Sequence, residues 1–172
     1  ATRACETALA MQRRLAVLND EWQAEAAAEG RQHIPVNIGI GLNTGHASVG
    51  NFGSTQRFTY SCLGDDVNLA SRLEGQCKTY AVSIIIGEVT RAQVPDHAAV
   101  EIDLIMVKGK TEAQRAFALV GDPALAKTPA FQTLLERQSD FLAHYRAGGF
   151  AEALGMIEEC EAAASAAGWR QE

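Results

Sequence analysis

The run Ile34-Pro-Val-Asn-Ile-Gly-Ile-Gly-Leu42 constrains the fold most, because its apolar residues recur at every second position. This alternation is typical of a β-strand with one buried face, so we predict a strand over residues 34–42. The next three residues, Asn43-Thr-Gly45, predict a tight turn into a second strand over residues 46–52. A sheet is therefore the first requirement on the fold.

Further strand patterns alternate with helix patterns up to about residue 121. Residues 57–63 are predicted as a strand or as an extended approach to the next helix. Strands are also predicted over residues 81–87, 99–110 and 113–121, the last two joined as a hairpin across Gly109. Helices are predicted over residues 1–29, 65–78 and 88–94, with Asp65 as the cap of the second. This interleaving indicates an α/β or α+β sheet domain of about 120 residues, of which we predict the α+β class, and we place the domain boundaries at 1–121 and 122–172.

The first helix pattern carries an apolar stripe with alternating spacings of four and three, and no capping signal precedes it. Such a stripe favours packing against a core, with contact to a partner helix as the alternative. A helix that opens without a cap is expected where a chain has been cut from a longer protein. The stripe consists of Ala4, Ala8, Met11, Leu15, Leu18 and Trp22.

Residues 122–172 contain no strand pattern and predict a helical hairpin. Asp122-Pro123 starts a connector, Thr128-Pro129 matches an N-cap followed by proline, and Ala147-Gly-Gly-Phe150 separates the two helices. The hairpin loosely resembles a single tetratricopeptide unit. Because about three such units are needed for a stack, we interpret it as a cap on its own domain, with peptide binding as the alternative. The apolar face predicted for the second helix consists of Phe150, Ala153, Leu154, Ile157 and Cys160.

Composition argues against several classes of function. The formal net charge is −6 and no run of Lys or Arg occurs, so we expect no general nucleic-acid surface. No apolar segment approaches the roughly 20 residues of a membrane span. We therefore expect no membrane contact from this chain and a cytoplasmic location, with any anchor of the parent protein upstream. The four cysteines lack paired or zinc-like spacing and are expected to be reduced, buried or half-buried thiols.

The remaining polar residues form an ordered series. The segment Gly50–Glu74, "GNFGSTQRFTYSCLGDDVNLASRLE", follows "IGIGLNTG" and precedes Val107-Lys-Gly-Lys110. This order and spacing resemble the C-terminal part of a class III adenylate/guanylate cyclase catalytic domain, over roughly residues 1 to 120. The resemblance implies a ferredoxin-like cyclase sheet domain whose N-terminal strands are missing, followed by the helical hairpin. It also implies conversion of a nucleoside triphosphate to a cyclic nucleotide and pyrophosphate, in signal transduction.

The resemblance assigns roles to three residues. Asn68 aligns with the asparagine that orients the ribose, and Arg72 with the arginine that stabilises charge on the α-phosphate during attack by the ribose 3′-oxygen. Lys108 aligns with the lysine that binds the terminal phosphates. Asn68 and Arg72 are four residues apart and project from one side of a helix, and a planar guanidinium suits phosphate oxygens. Without the surrounding motif, an ion pair of Arg72 with Glu74 or Asp65 would be the simpler interpretation.

Ser61 aligns with the position that contacts the base. Adenylate cyclases of this family carry Asp, Thr or Ser there, whereas guanylate cyclases typically carry Cys. A hydroxyl group can both donate and accept a hydrogen bond, so it can accommodate the adenine edge. Cys62 lies one residue away from this position. The resemblance therefore implies ATP as the substrate, with GTP as the alternative.

The resemblance also implies two Mg²⁺ or Mn²⁺ ions held by two aspartates of the family's first strand and following hairpin. No aspartate of this chain stands in that context, so both ligands are expected before residue 1 and no metal site within the chain. Homodimers of the family combine metal aspartates of one subunit with the asparagine and arginine of the other. We therefore expect a second cyclase subunit as partner, and no cyclic AMP production by this chain alone.

Two other classes of function remain open from the sequence. One is a catalytically dead regulatory module of cyclase type, which binds a nucleotide or a partner without turnover. The other is a helical interaction protein, in which residues 123–172 carry the function.

Overall fold

The computed structural model of the chain describes residues 1–54, 57–106 and 113–169. Its elements confirm the predicted α+β class with helices at the C-terminal end. The helices are α1 (Thr2–Ala28), α2 (Asp65–Gln76), α3 (Glu88–Gln93), α4 (Pro123–Ala126), α5 (Pro129–Arg146), α6 (Phe150–Gly155) and α7 (Ile157–Ala166). The strands are β1 (Ile40–Leu42), β2 (Ser48–Ser54), β3 (Arg57–Leu63), β4 (Ile84–Gly87), β5 (Ala98–Met106) and β6 (Ala113–Gly121).

Four strands form one sheet in the order β1-β4-β6-β5. β1 and β4 are parallel, whereas β6 pairs antiparallel with both β4 and β5. β5 and β6 are the two strands of the predicted hairpin, and its predicted turn at Gly109 lies outside the described residues. A register irregularity between Glu101 and Asp103 bends β5 near its middle.

The apolar strand β4 divides the core between the two faces of the sheet. Ile84 and Ile86 pack with Cys5 and Leu9 of α1, whereas Ile85 packs into a separate cluster with α2. Successive side chains of a strand point to opposite faces, so α1 and α2 cover opposite sides of the sheet. An unbroken apolar strand is the expected result of burial on both faces.

The apolar stripe predicted for α1 is only partly correct. Of its members Ala8 is fully buried, whereas Met11 and Trp22 are 48% and 37% exposed. The buried residues of α1 are Cys5, Ala8 and Leu9, at the end of the helix that lies on the sheet, and Ala26 near the other end. A helix of this length extends about 40 Å, which is further than a short sheet can cover.

The predicted strand over residues 34–42 is too long, since β1 begins at Ile40. Asn19 of α1 takes the place of a neighbouring strand at Val36. Its side-chain amide nitrogen donates to the Val36 carbonyl, and its amide oxygen accepts from the Val36 N–H, both at 2.9 Å. Ile34 is 79% exposed, so its place in the alternating pattern does not correspond to burial.

The predicted turn at Asn43–Gly45 does not form a hairpin between β1 and β2. Those strands belong to different sheets, because β2 pairs antiparallel with β3 in a separate two-stranded ribbon. The strand predicted over residues 57–63 is confirmed as β3. Nearly every residue of this ribbon is exposed or half-buried, so it projects from the sheet domain.

Thr128 caps α5 as predicted, whereas Asp122, predicted only as the start of a connector, caps the short helix α4. Asp122 accepts hydrogen bonds from the first N–H groups of α4, and the Thr128 hydroxyl accepts from the Phe131 N–H at the start of α5. Phe131 and Leu134 of α5 are buried against Val100 of the sheet. No helix within the described residues is both long enough and apolar enough to cross a membrane.

The second helix predicted for the C-terminal hairpin is divided at Met156 into α6 and α7. Its predicted apolar face is also wrong in part, because Ala153 is buried while Phe150 and Leu154 are 63% and 69% exposed. The likeness to a tetratricopeptide unit is not confirmed. Periodicity alone did not show that these apolar side chains point away from the domain.

Candidate active site

Helix α2 carries the central motif, and its first turn is set by a one-residue junction with β3. β3 ends at Leu63 and α2 begins at Asp65, with Gly64 as the N-cap residue. Gly64 has a φ of 155°, and a Cβ there would lie 2.8 Å from the His46 carbonyl oxygen. The predicted cap at Asp65 is wrong, because Asp65 is already helical and its side chain caps no N–H group. Its negative charge still favours the positive end of the helix dipole.

Asp66 connects the first turn of α2 to the segment that follows β1. One carboxylate oxygen accepts from the His46 N–H at 2.9 Å, and the other accepts from the Asn43 side-chain amide at 3.2 Å. The same amide donates to the Asp66 carbonyl at 3.1 Å. These hydrogen bonds were not predicted from the sequence, although the polar groups belong to the "NTGH" and "GDD" segments of the motif region.

The second turn of α2 lies directly against β1. An added Cβ at Gly41 would collide with the Ala70 carbonyl oxygen and the Glu74 amide nitrogen. The helix backbone therefore approaches the strand more closely than any other residue would allow. Leu69 and Leu73 are buried beside this contact, so the rotation of the helix about its axis is fixed.

The structure places Asn68 and Arg72 on consecutive turns, next to the buried Leu69–Leu73 row. Asn68 is exposed and Arg72 is half-buried. Within the described residues Arg72 forms no ion pair, so the alternative of a salt bridge with Glu74 or Asp65 is not observed there. The guanidinium is thus held on a fixed helix without a carboxylate partner among the described residues. This arrangement suits binding of an anion.

Ser61 lies on β3, three residues before the junction with α2, and is exposed. It pairs in register with Gly50 of β2, which leaves the space beside its hydroxyl free of a cross-strand side chain. Cys62 points to the opposite face of the ribbon. Lys108 lies outside the described residues, so its place relative to α2 stays a prediction.

The carboxylates near α2 do not form a metal site. No group of three or more His, Cys, Asp or Glu side chains in the described ranges could hold a metal ion. Both carboxylate oxygens of Asp66 already accept hydrogen bonds from Asn43 and His46. Within the described ranges, these side chains therefore do not supply the ligands of the two-ion site that the resemblance implies.

Tyr80 connects the end of α2 to β5. Its N–H donates to the Gln76 carbonyl, and its hydroxyl donates a short hydrogen bond to the Asp103 carboxylate. Burial, together with the hydrogen bond to Asp103, raises the pKa of Tyr80 to about 12. β5 leads towards residues 107–110, so this bond joins the helix of Arg72 to the strand that precedes Lys108. Sequence reasoning missed this contact, since no local pattern relates the two residues.

The cysteines differ in exposure, but all four are free thiols. Cys5 and Cys77 are buried and Cys160 is half-buried, as predicted, whereas Cys62 on the ribbon is exposed. Burial raises the pKa of the Cys77 thiol, whose sulfur lies near the Ile40 carbonyl oxygen at 3.7 Å. A neutral thiol in this position packs as a small apolar group.

The chain is similar to curated adenylate cyclases from bacteria. It is 34% identical over 122 residues to adenylate cyclase 1 of Rhizobium meliloti (strain 1021), a match of 70% of this chain and 17% of that protein. It is 35% identical over 114 residues to an adenylate cyclase of Anabaena cylindrica, covering 64% of this chain and 22% of that protein. The chain thus spans less than a quarter of the length of these relatives.

Two solved structures are similar in fold. The adenylyl cyclase CyaB from P. aeruginosa aligns with a TM-score of 0.54 at 33% identity, over 66% of this chain and 55% of that one. The guanylyl cyclase Cya2 aligns with a TM-score of 0.50 at 30% identity, over 65% of this chain and 53% of that one. The profile of the adenylate and guanylate cyclase catalytic domain matches residues 1–121. Because this match covers more than half of the chain, the chain belongs to the adenylate and guanylate cyclase catalytic domain family.

Proposed function

We propose that the chain is part of an adenylate cyclase, which converts ATP to 3′,5′-cyclic AMP and pyrophosphate in signal transduction. One observation carries the proposal: Asn68 and Arg72 lie on consecutive turns of a helix that is fixed against β1 and by Asp66. Arg72 has no ionic partner among the described residues. A cation held in place without a counter-ion is what stabilisation of a negatively charged transition state requires.

We assign two of the roles from the resemblance, and the positions of Asn68 and Arg72 on α2 are compatible with them. In the reaction the ribose 3′-hydroxyl releases its proton to water, its oxygen attacks the α-phosphorus, and the bond from phosphorus to the pyrophosphate oxygen breaks, so that pyrophosphate leaves. Asn68 orients the ribose so that its 3′-oxygen lies in line with that bond. Arg72 donates to the α-phosphate oxygens, where negative charge increases as the transition state forms. Both groups act by positioning and electrostatic stabilisation and exchange no proton with the substrate.

The choice of ATP rests on Ser61. The two solved structures do not decide the base, since one is an adenylyl and the other a guanylyl cyclase. The curated relatives are named adenylate cyclases, which agrees with a hydroxyl-bearing residue at the base-contacting position. Ser61 is exposed and lies a short distance along the chain from Asn68, across the single junction residue Gly64. We assign Lys108 to the terminal phosphates.

We further propose that the chain supplies one half of a site shared between two subunits. It contributes Ser61, Asn68, Arg72 and Lys108, and the metal ligands come from the other subunit. Mg²⁺ or Mn²⁺, when bound there, would activate the 3′-hydroxyl and neutralise phosphate charge. The chain alone is then expected to produce no cyclic AMP.

A complementation experiment tests this assignment. The chain is fused to one member of a heterodimeric coiled-coil pair, and the P. aeruginosa adenylyl cyclase CyaB to the other, with the CyaB arginine equivalent to Arg72 replaced by Ala. Each homodimer lacks part of the site, whereas the heterodimer combines the CyaB metal ligands with Asn68 and Arg72 of this chain. We expect cyclic AMP from ATP and Mn²⁺ in the mixture only.

The same mixture made with an Arg72→Ala chain is the control and should be inactive. Heterodimers that are verified by size-exclusion chromatography and still produce no cyclic AMP would contradict the half-site assignment. That outcome would favour a regulatory module that binds nucleotide without turnover.

A further inference from the structure

The C-terminal helices expose a group of large apolar side chains. Tyr145, Phe150, Leu154 and Ile157 are 50%, 63%, 69% and 37% exposed. With the half-buried Phe141 they form one surface, here named the helical-tip patch. Single exposed apolar residues are ordinary, but a contiguous group of this kind marks an interaction surface.

The aromatic members of the helical-tip patch are already ordered against each other. The rings of Phe141 and Tyr145 stack with centroids 6.1 Å apart and an interplanar angle of 9°. Tyr145 meets Phe150 edge to face at 5.7 Å and 64°. Such pairs are favourable aromatic geometries, so a partner would not have to order these side chains on binding.

A groove continues from the patch towards the sheet. It has a volume of about 770 Å³ and is lined on one side by Phe141 and Leu134 of α5, and on the other by Ile157 and Cys160 of α7. Ile102 of β5 forms part of its floor. Patch and groove share Phe141 and Ile157, so they make one elongated apolar surface between two helices.

The helices that carry this surface are acidic, and Glu161 lines the groove. Helices α5 to α7 carry six acidic residues and two arginines. Both arginines are already paired, Arg137 with Glu159 at 3.2 Å and Arg146 with Glu101 at 2.6 Å. The acidic residues without an ion pair in the described part of the chain are Glu136, Asp140, Glu152, Glu158 and Glu161.

We propose that the helical-tip patch and its groove bind an amphipathic helix of a partner protein, with apolar anchors along one face and Lys or Arg on its flanks. An elongated apolar groove between two helices fits a row of side chains at spacings of three and four. The unpaired carboxylates of α5 to α7, with Glu161 at the groove itself, complement basic flanks and repel anionic lipid or nucleic acid. The proposal does not depend on the catalytic assignment, because the profile of the cyclase family ends at residue 121.

The direct test uses a labelled peptide of about 18 residues built only from Leu and Lys at helical periodicity, long enough to be helical when bound. Its binding to the full chain is measured by fluorescence anisotropy beside a Leu/Glu peptide of the same pattern. We expect the Leu/Lys peptide to bind at least about tenfold more tightly, because the acidic residues of α5 to α7 repel the Leu/Glu peptide. Equal affinities would overturn the proposed charge selectivity and with it the partner class.

Variants of exposed residues locate the binding surface. Leu154→Ser should weaken binding of the Leu/Lys peptide at least about fivefold, because it removes an exposed anchor and leaves the core intact. Val89→Ser is the matched control, since Val89 is 48% exposed on α3, outside the helical-tip patch. Equal effects of the two variants would overturn the location.

Cys160 gives a second readout that needs no change to the binding surface. The experiment uses the Cys62→Ser chain, so that Cys160 is the accessible thiol among the four cysteines. Alkylation by iodoacetamide is followed at alkaline pH, because burial raises the pKa of the Cys160 thiol. Bound Leu/Lys peptide should slow alkylation several-fold, and unchanged rates at saturating peptide would overturn the proposal.

Self-association of the chain that Leu154→Ser abolishes would assign the patch to a second copy instead.

Discussion

Helices α2 and α5 both pack against the four-stranded sheet, but the arginines of α5 form ion pairs, whereas the arginine of α2 forms none among the described residues. Arg137 and Arg146 of α5 each form an ion pair, and Arg146 pairs with a carboxylate of β5. Arg72 of α2 has no such partner among the described residues, although Asp65, Asp66 and Glu74 lie on the same helix. Asp66 instead accepts hydrogen bonds from an amide side chain and a backbone N–H.

This difference separates cations that hold the fold together from a cation that is available to a ligand. In α5, Arg146 connects the helix to the sheet and Arg137 connects it to α7. In α2 neutral donors satisfy the nearby carboxylate, and a backbone contact at Gly41 fixes the helix, so the guanidinium is not needed for either purpose. Positioning by uncharged groups therefore leaves Arg72 without a counter-ion among the described residues, which is the condition for strong electrostatic stabilisation of a phosphate.

The largest expected effect is on catalysis and concerns Arg72. Arg72→Ala in the complemented heterodimer should lower kcat by about 100- to 1,000-fold, the cost of one lost donor to a developing negative charge. The free energy of unfolding should change by less than about 0.5 kcal/mol, since no hydrogen bond or ion pair of the described residues is lost. Cyclic AMP formation and urea denaturation measure the two quantities. A variant that loses stability but keeps kcat would reverse the contrast with α5.

The next effect concerns the contact that fixes α2. Gly41→Ala forces a methyl group against the backbone of Ala70 and Glu74 and should destabilise the chain by about 1–3 kcal/mol, as overpacking does. Gly75→Ala is the matched control, because nothing lies within 4 Å of its added Cβ. In the helix it should stabilise the chain by about 0.5–1 kcal/mol. Urea denaturation of both variants checks the difference, and equal effects would show that α2 does not lie this close to β1.

Tyr80 gives a smaller effect with a defined pH dependence. Its pKa is about 12 in the folded chain and about 10 when unfolded, so the neutral phenol is favoured by folding. This contribution is fully present below pH of about 10 and is lost as the pH rises towards 12. Tyr80→Phe should cost about 0.5–1.5 kcal/mol at neutral pH. Unfolding measured from neutral to alkaline pH should show a shallower alkaline loss for the variant, and parallel curves would contradict the bond to Asp103.

The smallest effect tests the paired arginines. Arg146→Ala removes a pair whose side chains are 31% and 20% exposed, and should cost about 1 kcal/mol. Arg137→Ala removes a more exposed pair and should change stability by less than about 0.5 kcal/mol. Neither variant should change kcat in the complemented heterodimer. Thermal denaturation and the cyclic AMP assay together check this, and a loss of kcat in either variant would remove the distinction between the two helices.

The sequence predicted elements well where one residue pattern had one structural solution. The fully apolar run of β4, the β5–β6 pair and the capped start of α5 are all confirmed. Prediction failed where the burial of an apolar pattern depended on distant partners. Residues 34–39 alternate as a strand does, but Asn19 takes the backbone groups of Val36 that a neighbouring strand would have used.

For the candidate site, the motif identified Asn68 and Arg72 but not the residues that hold their helix. Asp66 and Asn43 are 23 residues apart, as are Tyr80 and Asp103. No local periodicity relates such positions, so these contacts require the tertiary structure. The predicted cap at Asp65 failed for a related reason, because the junction with β3 places Gly64 at the cap.

The close contact at Gly41 has a consequence for experiments that score many substitutions at once. A library of this chain, assayed in the complemented heterodimer and selected only for cyclic AMP production, should reject nearly every replacement at Gly41 and at Arg72 alike. The causes differ, because a substitution at Gly41 lowers the amount of folded protein, whereas a substitution at Arg72 is expected to lower the rate of cyclic AMP formation by each folded molecule. Scoring abundance and output separately would place Gly41 in the first class and Arg72 in the second. Intolerance to substitution therefore identifies positions that are needed for folding or for catalysis, and a separate measurement of protein abundance is needed to tell the two apart.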